Sequence, residues 1–287
     1  MAITITTNVA AINAQRRLGN STNELRTAFE RLSSGLRIVR AKDDAAGLAI
    51  ADSLKADGRI ASVAIRNAND GISLIGIADG ALDQVTSVLT RMAELAEQSA
   101  NGVLASSQRS SLNQEFVNLA SEIERIAVTT SFNGLNLLSG GSTVQLQVGF
   151  DSNTNSQISF NGVQGTLASI SLASTGGAAL IYSLNDTSNL LGQAAARSAL
   201  DAVKTAITSL TTSRGLLGAA ESRLNVAITN LSVARENYKS AESQIRDVDV
   251  AEEAANLSRL NILQQAGAAV LAQANQQPAL ALSLLQG

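Results

Sequence analysis

The side chains best suited to chemistry are few and of one kind. The chain has no histidine and no cysteine. Imidazole acid–base catalysis, thiolate attack, disulfides and the usual zinc ligand sets are therefore excluded. Carboxylates and lysines remain. Lys42-Asp43-Asp44 is one dense charged group, and Asp247, Asp249, Glu252 and Glu253 form another. The first reads either as catalytic carboxylates beside a lysine or as a helix cap with subunit ion pairs. The second reads either as a cation site or as a solvated or inter-subunit face. A hard cation needs oxygens that converge, and the second group lies on a helical pattern without a binding loop. Capping needs only one Asp oxygen within reach of the free N–H groups of the next helix. No pocket-forming composition accompanies either group. No catalytic residue, metal ligand or cofactor is expected.

The chemistry that the sequence does repeat is association of apolar faces. Leu18, Leu25 and Leu32 recur every seventh residue, with Phe29 and Leu36 each four after a leucine. That is a single stripe on one face of a helix over about 8–36. Val203, Leu210, Leu217, Leu224, Leu231, Tyr238 and Ile245 are all seven apart, and small residues such as Ala206, Ala220 and Ala227 sit three after members of the series. A seam of large plus small side chains lets helices pack closely. Leu257, Leu260, Leu263 and Val270 form another stripe near the C-terminus.

The elements that must carry these stripes follow in order. A second helix is expected over about 45–100, started by Asp43 or Asp44, with Ile75, Leu82 and Leu89 in heptad register. At ~1.5 Å per residue it would be roughly 80 Å long, which suggests a rod. A shorter helix follows the loop at 101–107, with Leu112, Phe116, Leu119, Ile123 and Ile126 alternating at four and three. From 139 the period becomes two: Val144, Leu146, Val148 and Phe150, a polar turn at 151–155, then Ile158 and Phe160. This predicts a β-hairpin, and 165–172 reads as a further short strand. The last long helix begins near Leu190, and Pro278 is expected to end the C-terminal one. The fold class is mainly α: a long antiparallel helical rod or coiled coil with a small central β-hairpin region and N- and C-terminal helices paired in the assembled state. The two terminal helices have too little apolar surface to offset their ordering entropy alone, so they are expected to fold on association.

Composition agrees with a thin helical seam. Of 287 residues 45% are hydrophobic but only 2% aromatic, and Pro278 is the one proline, so long helices go unbroken. A net charge of −3 lacks the basic face that a nucleic acid or an anionic membrane surface would need. The first residues have neither a basic n-region nor an apolar h-region, which predicts no secretory signal peptide. No apolar run is expected to reach the ~18 residues of a membrane span.

At both ends the residues resemble a known family. Asn8-Val9-Ala10-Ala11-Ile12-Asn13-Ala14-Gln15, Leu32-Ser33-Ser34-Gly35-Leu36-Arg37-Ile38 and Ala41-Lys42-Asp43-Asp44-Ala45-Ala46-Gly47-Leu48-Ala49-Ile50 resemble the opening of bacterial flagellins. Phe132-Asn133-Gly134, Ser258-Arg259 followed by Ile262-Leu263-Gln264-Gln265-Ala266-Gly267, and Val270-Leu271-Ala272-Gln273-Ala274-Asn275 are further matches to the same family. The match covers well over half the chain, in order. It implies a structural subunit, not an enzyme, that polymerises into the bacterial flagellar filament for swimming motility. It implies residues 1–44 and 250–287 as an inner coiled-coil domain, 45–140 and 178–249 as a helical rod domain, and 141–177 as a reduced central region without large outer domains. Leu18, Leu25, Phe29, Leu32, Leu36, Leu257, Leu260, Leu263 and Val270 would then be inner-core assembly positions. Leu210, Leu217, Leu224, Leu231 and Tyr238 would be the rod seam.

The resemblance also implies partners: further copies of the chain, a flagellar export chaperone, and filament cap and hook-junction proteins. It implies export through the flagellar secretion apparatus to an extracellular filament. Arg91, Leu95 and Glu115 fall on the contact positions of the flagellin-sensing Toll-like receptor, and the C-terminal leucines resemble the part read by a cytosolic flagellin sensor. Two rivals stand beside this reading. One is a hook–filament junction protein, which shares the terminal helices. The other is a cytoplasmic coiled-coil module, which needs neither the two-ended arrangement nor the apolar tail.

Overall fold

The computed structural model describes residues 7–139, 143–163, 165–174, 180–185 and 189–286. Five helices carry most of it. They are α1 (Val9–Ser34), α2 (Ala45–Ala100), α3 (Ser106–Thr129), α4 (Asn189–Arg246) and α5 (Val250–Gln286). Two antiparallel hairpins lie between α3 and α4: β1 (Ser131–Phe132) with β2 (Leu135–Asn136), and β3 (Thr143–Gln147) with β4 (Gln157–Asn161). The residues group into two compact units, one of 59–235 and one of 1–58 with 236–287. The divisions fall inside α2 and α4, so each of these helices contributes to both units.

Unit 59–235 holds the main core. Ile75, Leu82, Leu89 and Met92 of α2, Phe116 and Ile123 of α3, and Val203, Leu210, Leu217 and Leu224 of α4 are all buried together. Gly71 faces Leu224, Asp79 and Asp83 face Arg214, and Gly102 faces Gln193. Numbers rising on α2 as they fall on α4 make the pair antiparallel. The β3–β4 hairpin lies against it. Its register sets Val144 opposite Phe160 and Leu146 opposite Ile158, the cross-strand apolar pairs that hold a two-stranded sheet. A Cβ on Gly71 would stand 2.1 Å from Leu146 Cδ1, so only glycine lets the hairpin come this close to α2. Asn67 Nδ2 also donates to Gln147 O at 3.0 Å.

The other unit pairs α1 with α5. Asn8 meets Ala274, Thr22 meets Gln264 and Arg31 meets Glu253, which is again antiparallel. Leu25, Ala28 and Leu260 form a small buried cluster with Leu257 packed against it. α1 and α5 thus pair in the structure, each supplying part of the face that the other lacks.

Four expectations change. Pro278 does not end α5, which runs on to Gln286. Proline has no N–H, so the open rung is the carbonyl four residues earlier, and Ala274 O accepts instead from Asn8 Nδ2 at 2.7 Å. Residues 166–171 are turns and bends, not a strand, and an isolated bridge joins Ala173 to Leu180. The alternating pattern stops at Gln147, so Phe150 lies beyond β3. Finally, α2 does contain an 18-residue window with a mean hydropathy of 1.3, long and apolar enough for a bilayer by length and composition. Its heptad positions Ile75, Leu82 and Leu89 are in the core.

Candidate assembly surface

The charged groups of the two interhelical connections are local anchors. Asp44 Oδ1 accepts from Gly47 N–H at 2.9 Å, which caps α2. Asp43 Oδ2 accepts from Arg40 N–H at 3.0 Å and Val39 N–H at 3.3 Å and so folds the preceding turn. Those bonds, Arg40's first, hold the Asp43 carboxyl below its usual range. Asp249 Oδ1 accepts from Ala251 and Glu252 N–H and caps α5. Glu252 and Glu253 fall in the first turn of that helix, where the dipole favours negative charge. Among the described residues no cluster of three or more carboxylates stands where it could hold a metal ion.

Both connections meet at one place. Arg37 N–H donates to Arg246 O at 2.7 Å and Val248 N–H to Gly35 O at 3.1 Å, which makes a bridge of Leu36 with Asp247. Arg37 Nη2 adds a bond to Ile245 O at 2.6 Å. Gly35 permits this, since it ends α1 at a φ of 70°, a left-handed conformation that costs glycine little.

The apolar stripes of α1 and α5 divide. Leu25 and Leu260 are buried, Leu18, Leu32, Leu36 and Leu257 are half-buried, and Leu18 lies against Gly267. Phe29, Leu263 and Val270 face outward, as do Val9, Ile12 and Ile262, and these six are between 44% and 66% exposed. All six are large apolar side chains on the two paired terminal helices. The α4 seam behaves differently. Leu210, Leu217, Leu224 and Leu231 are buried within their own units, and Tyr238 is half-buried beside Gly58.

Arg91 and Glu115 come together on the outside of α2 and α3. Arg91 Nη2 meets Glu115 Oε1 at 2.9 Å and Arg91 Nη1 meets Glu94 Oε2 at 2.9 Å. These bonds, Glu94's first, push the guanidinium pKa further up. Leu95 is not on this surface. It is completely buried, one helix turn behind Arg91.

Some polar anchors gave no sequence signal. Arg109 is buried, donating from Nε to Ser99 O and from Nη2 to Asn101 O, both at 2.9 Å. It thereby caps the carbonyl end of α2. Ser99 Oγ donates to Leu184 O, and Asn113 Oδ1 accepts from Leu184 N–H at 2.8 Å. None of these residues belongs to a motif, and their partners are set by tertiary packing.

Comparison with known proteins gives this architecture its context. Residues 5–143 match the model of the bacterial flagellin N-terminal helical region, and 200–285 match that of the C-terminal helical region. A flagellin of Halalkalibacterium halodurans is 45% identical over 280 residues, covering 97% of this chain and 98% of that protein. A flagellar filament 33 kDa core protein of Treponema phagedenis is 37% identical, with the same coverage of 97% and 98%. A solved Vibrio parahaemolyticus structure, provisionally described as a flagellar hook-associated protein, superposes with a TM-score of 0.57. It covers 71% of this chain and all of that one, and at 16% identity it speaks for the fold alone.

Proposed function

This chain belongs to the bacterial flagellins, the structural subunits that polymerise into the flagellar filament, and we propose that the outward apolar residues of α1 and α5 are its contacts with neighbouring copies. The observation that carries this reading is the split stripe. Leu25, Ala28 and Leu260 hold the pair together, while Phe29, Leu263 and Val270 stay exposed on the same helices. Exposed surface of this kind is costly in water, and a polymer of identical chains covers it everywhere except at its ends.

In this reading residues 1–44 and 250–287 make the inner layer of the filament. Residues 45–140 and 178–249 make the layer outside it, and 141–177 form a small central region. The C-terminal segment, with exposed Ile262, Leu263 and Val270, is the natural binding site for an export chaperone before assembly. The subunit leaves the cell through the flagellar export channel, and cap and hook-junction proteins bound the extracellular polymer at its two ends. The Arg91–Glu115 pair is the part of the exposed surface open to a host flagellin receptor.

Phe29→Ser and Val270→Ser test the assembly reading. Both are expected to leave helix content and the thermal midpoint of the unpolymerised chain nearly unchanged, while raising the critical concentration for seeded assembly at least roughly tenfold, the scale of ~1.4 kcal/mol per lost apolar contact. Normal filaments from both variants in a sedimentation assay would refute it.

A further inference from the structure

We propose that Asn8 and Pro278 form a latch that makes the far end of α5 depend on the start of α1, so that both chain ends become competent to assemble together. Pro278 lies inside α5. Its missing N–H leaves the Ala274 carbonyl without the donor that an ordinary helix supplies from four residues on. Ala274 is only 7% exposed and its carbonyl lies in a part-buried setting, so leaving the bond unmade carries a cost. The donor comes instead from Asn8 Nδ2 at 2.7 Å, across a sequence separation of 266.

The same side chain starts α1. Asn8 Oδ1 accepts from Ala11 N–H at 3.0 Å, and its backbone carbonyl accepts from Ile12 N–H at 3.1 Å. One amide therefore serves two helices, its oxygen on α1 and its nitrogen on α5. The orientation is fixed by chemistry, because Ala11 offers only a donor and Ala274 only an acceptor. Asp caps helices as well as Asn does, but a carboxylate has no proton to give Ala274. With a residue other than proline at 278, the Ala274 carbonyl would be satisfied within α5, and residues 278–286 would be indifferent to α1. The proline turns a local bond into a report on the other end of the chain.

A double-mutant cycle on the full-length chain tests this, read by hydrogen exchange of amides 279–286 in assembled filaments. Asn8→Asp keeps the cap, removes the donor and adds a negative charge, for which the Pro278→Ala background is the control. In the Pro278 chain it is expected to speed exchange roughly three- to tenfold, the worth of one such bond. In the Pro278→Ala chain, which is itself expected to assemble, it is expected to change little. An equal effect in both backgrounds would make Asn8 a cap only, and no effect in either would remove the latch. Should N8D block assembly, N8D/P278A must restore it in a seeded sedimentation assay. Failure to do so, or loss of assembly in P278A alone, overturns the proposal.

Discussion

At the scale of single residues, the polar groups that matter hold the backbone in place. Arg109 puts a buried guanidinium on two carbonyls at the end of α2. Arg109→Ala should lower stability by about 2 kcal/mol, since it strands the buried Ser99 carbonyl; urea unfolding would measure it. Asp43 gives a pH dependence of definite sign. Its folded pKa lies below the ordinary 3.8 because Arg40 and Val39 N–H groups bind the carboxylate. Its contribution is therefore complete above that value and is lost as pH falls through the lower folded pKa. Amides 39–48 should begin to exchange faster only below pH ~4, and Asp43→Asn should flatten that acid response. A cap at Asp43 or Asp44 was legible because an acidic pair stood directly before a periodic run, and Asp44 is the one that takes it. Arg109 and Asn113 were not, because neither position breaks a pattern. Leu95 illustrates the converse, since a motif position sits on a helix face that only the packing reveals as internal.

At the scale of elements, periodicity carried most of the information. The heptads of α4 put Leu210 and Leu224 in the core, and α2 spans the expected residues because its cap and stripe agree. Leu210→Ala should cost about 2–5 kcal/mol. Leu216→Ala, at a position 68% exposed on the same helix, should stay within about 0.5 kcal/mol. Thermal or urea unfolding of the two side by side would show whether the seam has been placed in the right register. Short elements were harder. The β1–β2 turn is Asn133-Gly134, with φ of 50° and 79°, the geometry of a tight type I′ hairpin. Its strands of two residues each are too short to alternate visibly. Pro278 misled for a different reason. The local rule that proline stops a helix is sound, and what overrides it comes from the opposite end of the sequence, where no window includes both residues.

At the scale of the whole molecule, the flagellin assignment rests on both ends of the chain and on the helices between them. Deleting 1–40 or 250–287 should abolish polymerisation and leave a soluble helical protein, because the core of 59–235 draws on neither segment. Circular dichroism with seeded sedimentation would check both halves of that statement. Filaments from either truncated chain would contradict it. The meeting of Gly35–Arg37 with Arg246–Val248 has a mechanical meaning. The chain crosses between α1 and α2 in ten residues, 35–44, and between α4 and α5 in three, 247–249. Two tethers of such different length would ordinarily slacken and tighten out of step. Stitched together at Leu36 and Asp247, they share one pivot. The surplus of the longer tether is taken up beyond the stitch by the Arg40–Glu30 pair and the Asp43 turn. A polymer that must bend while it rotates gains from joints with few ways to move, since load applied to one tether is carried by the other.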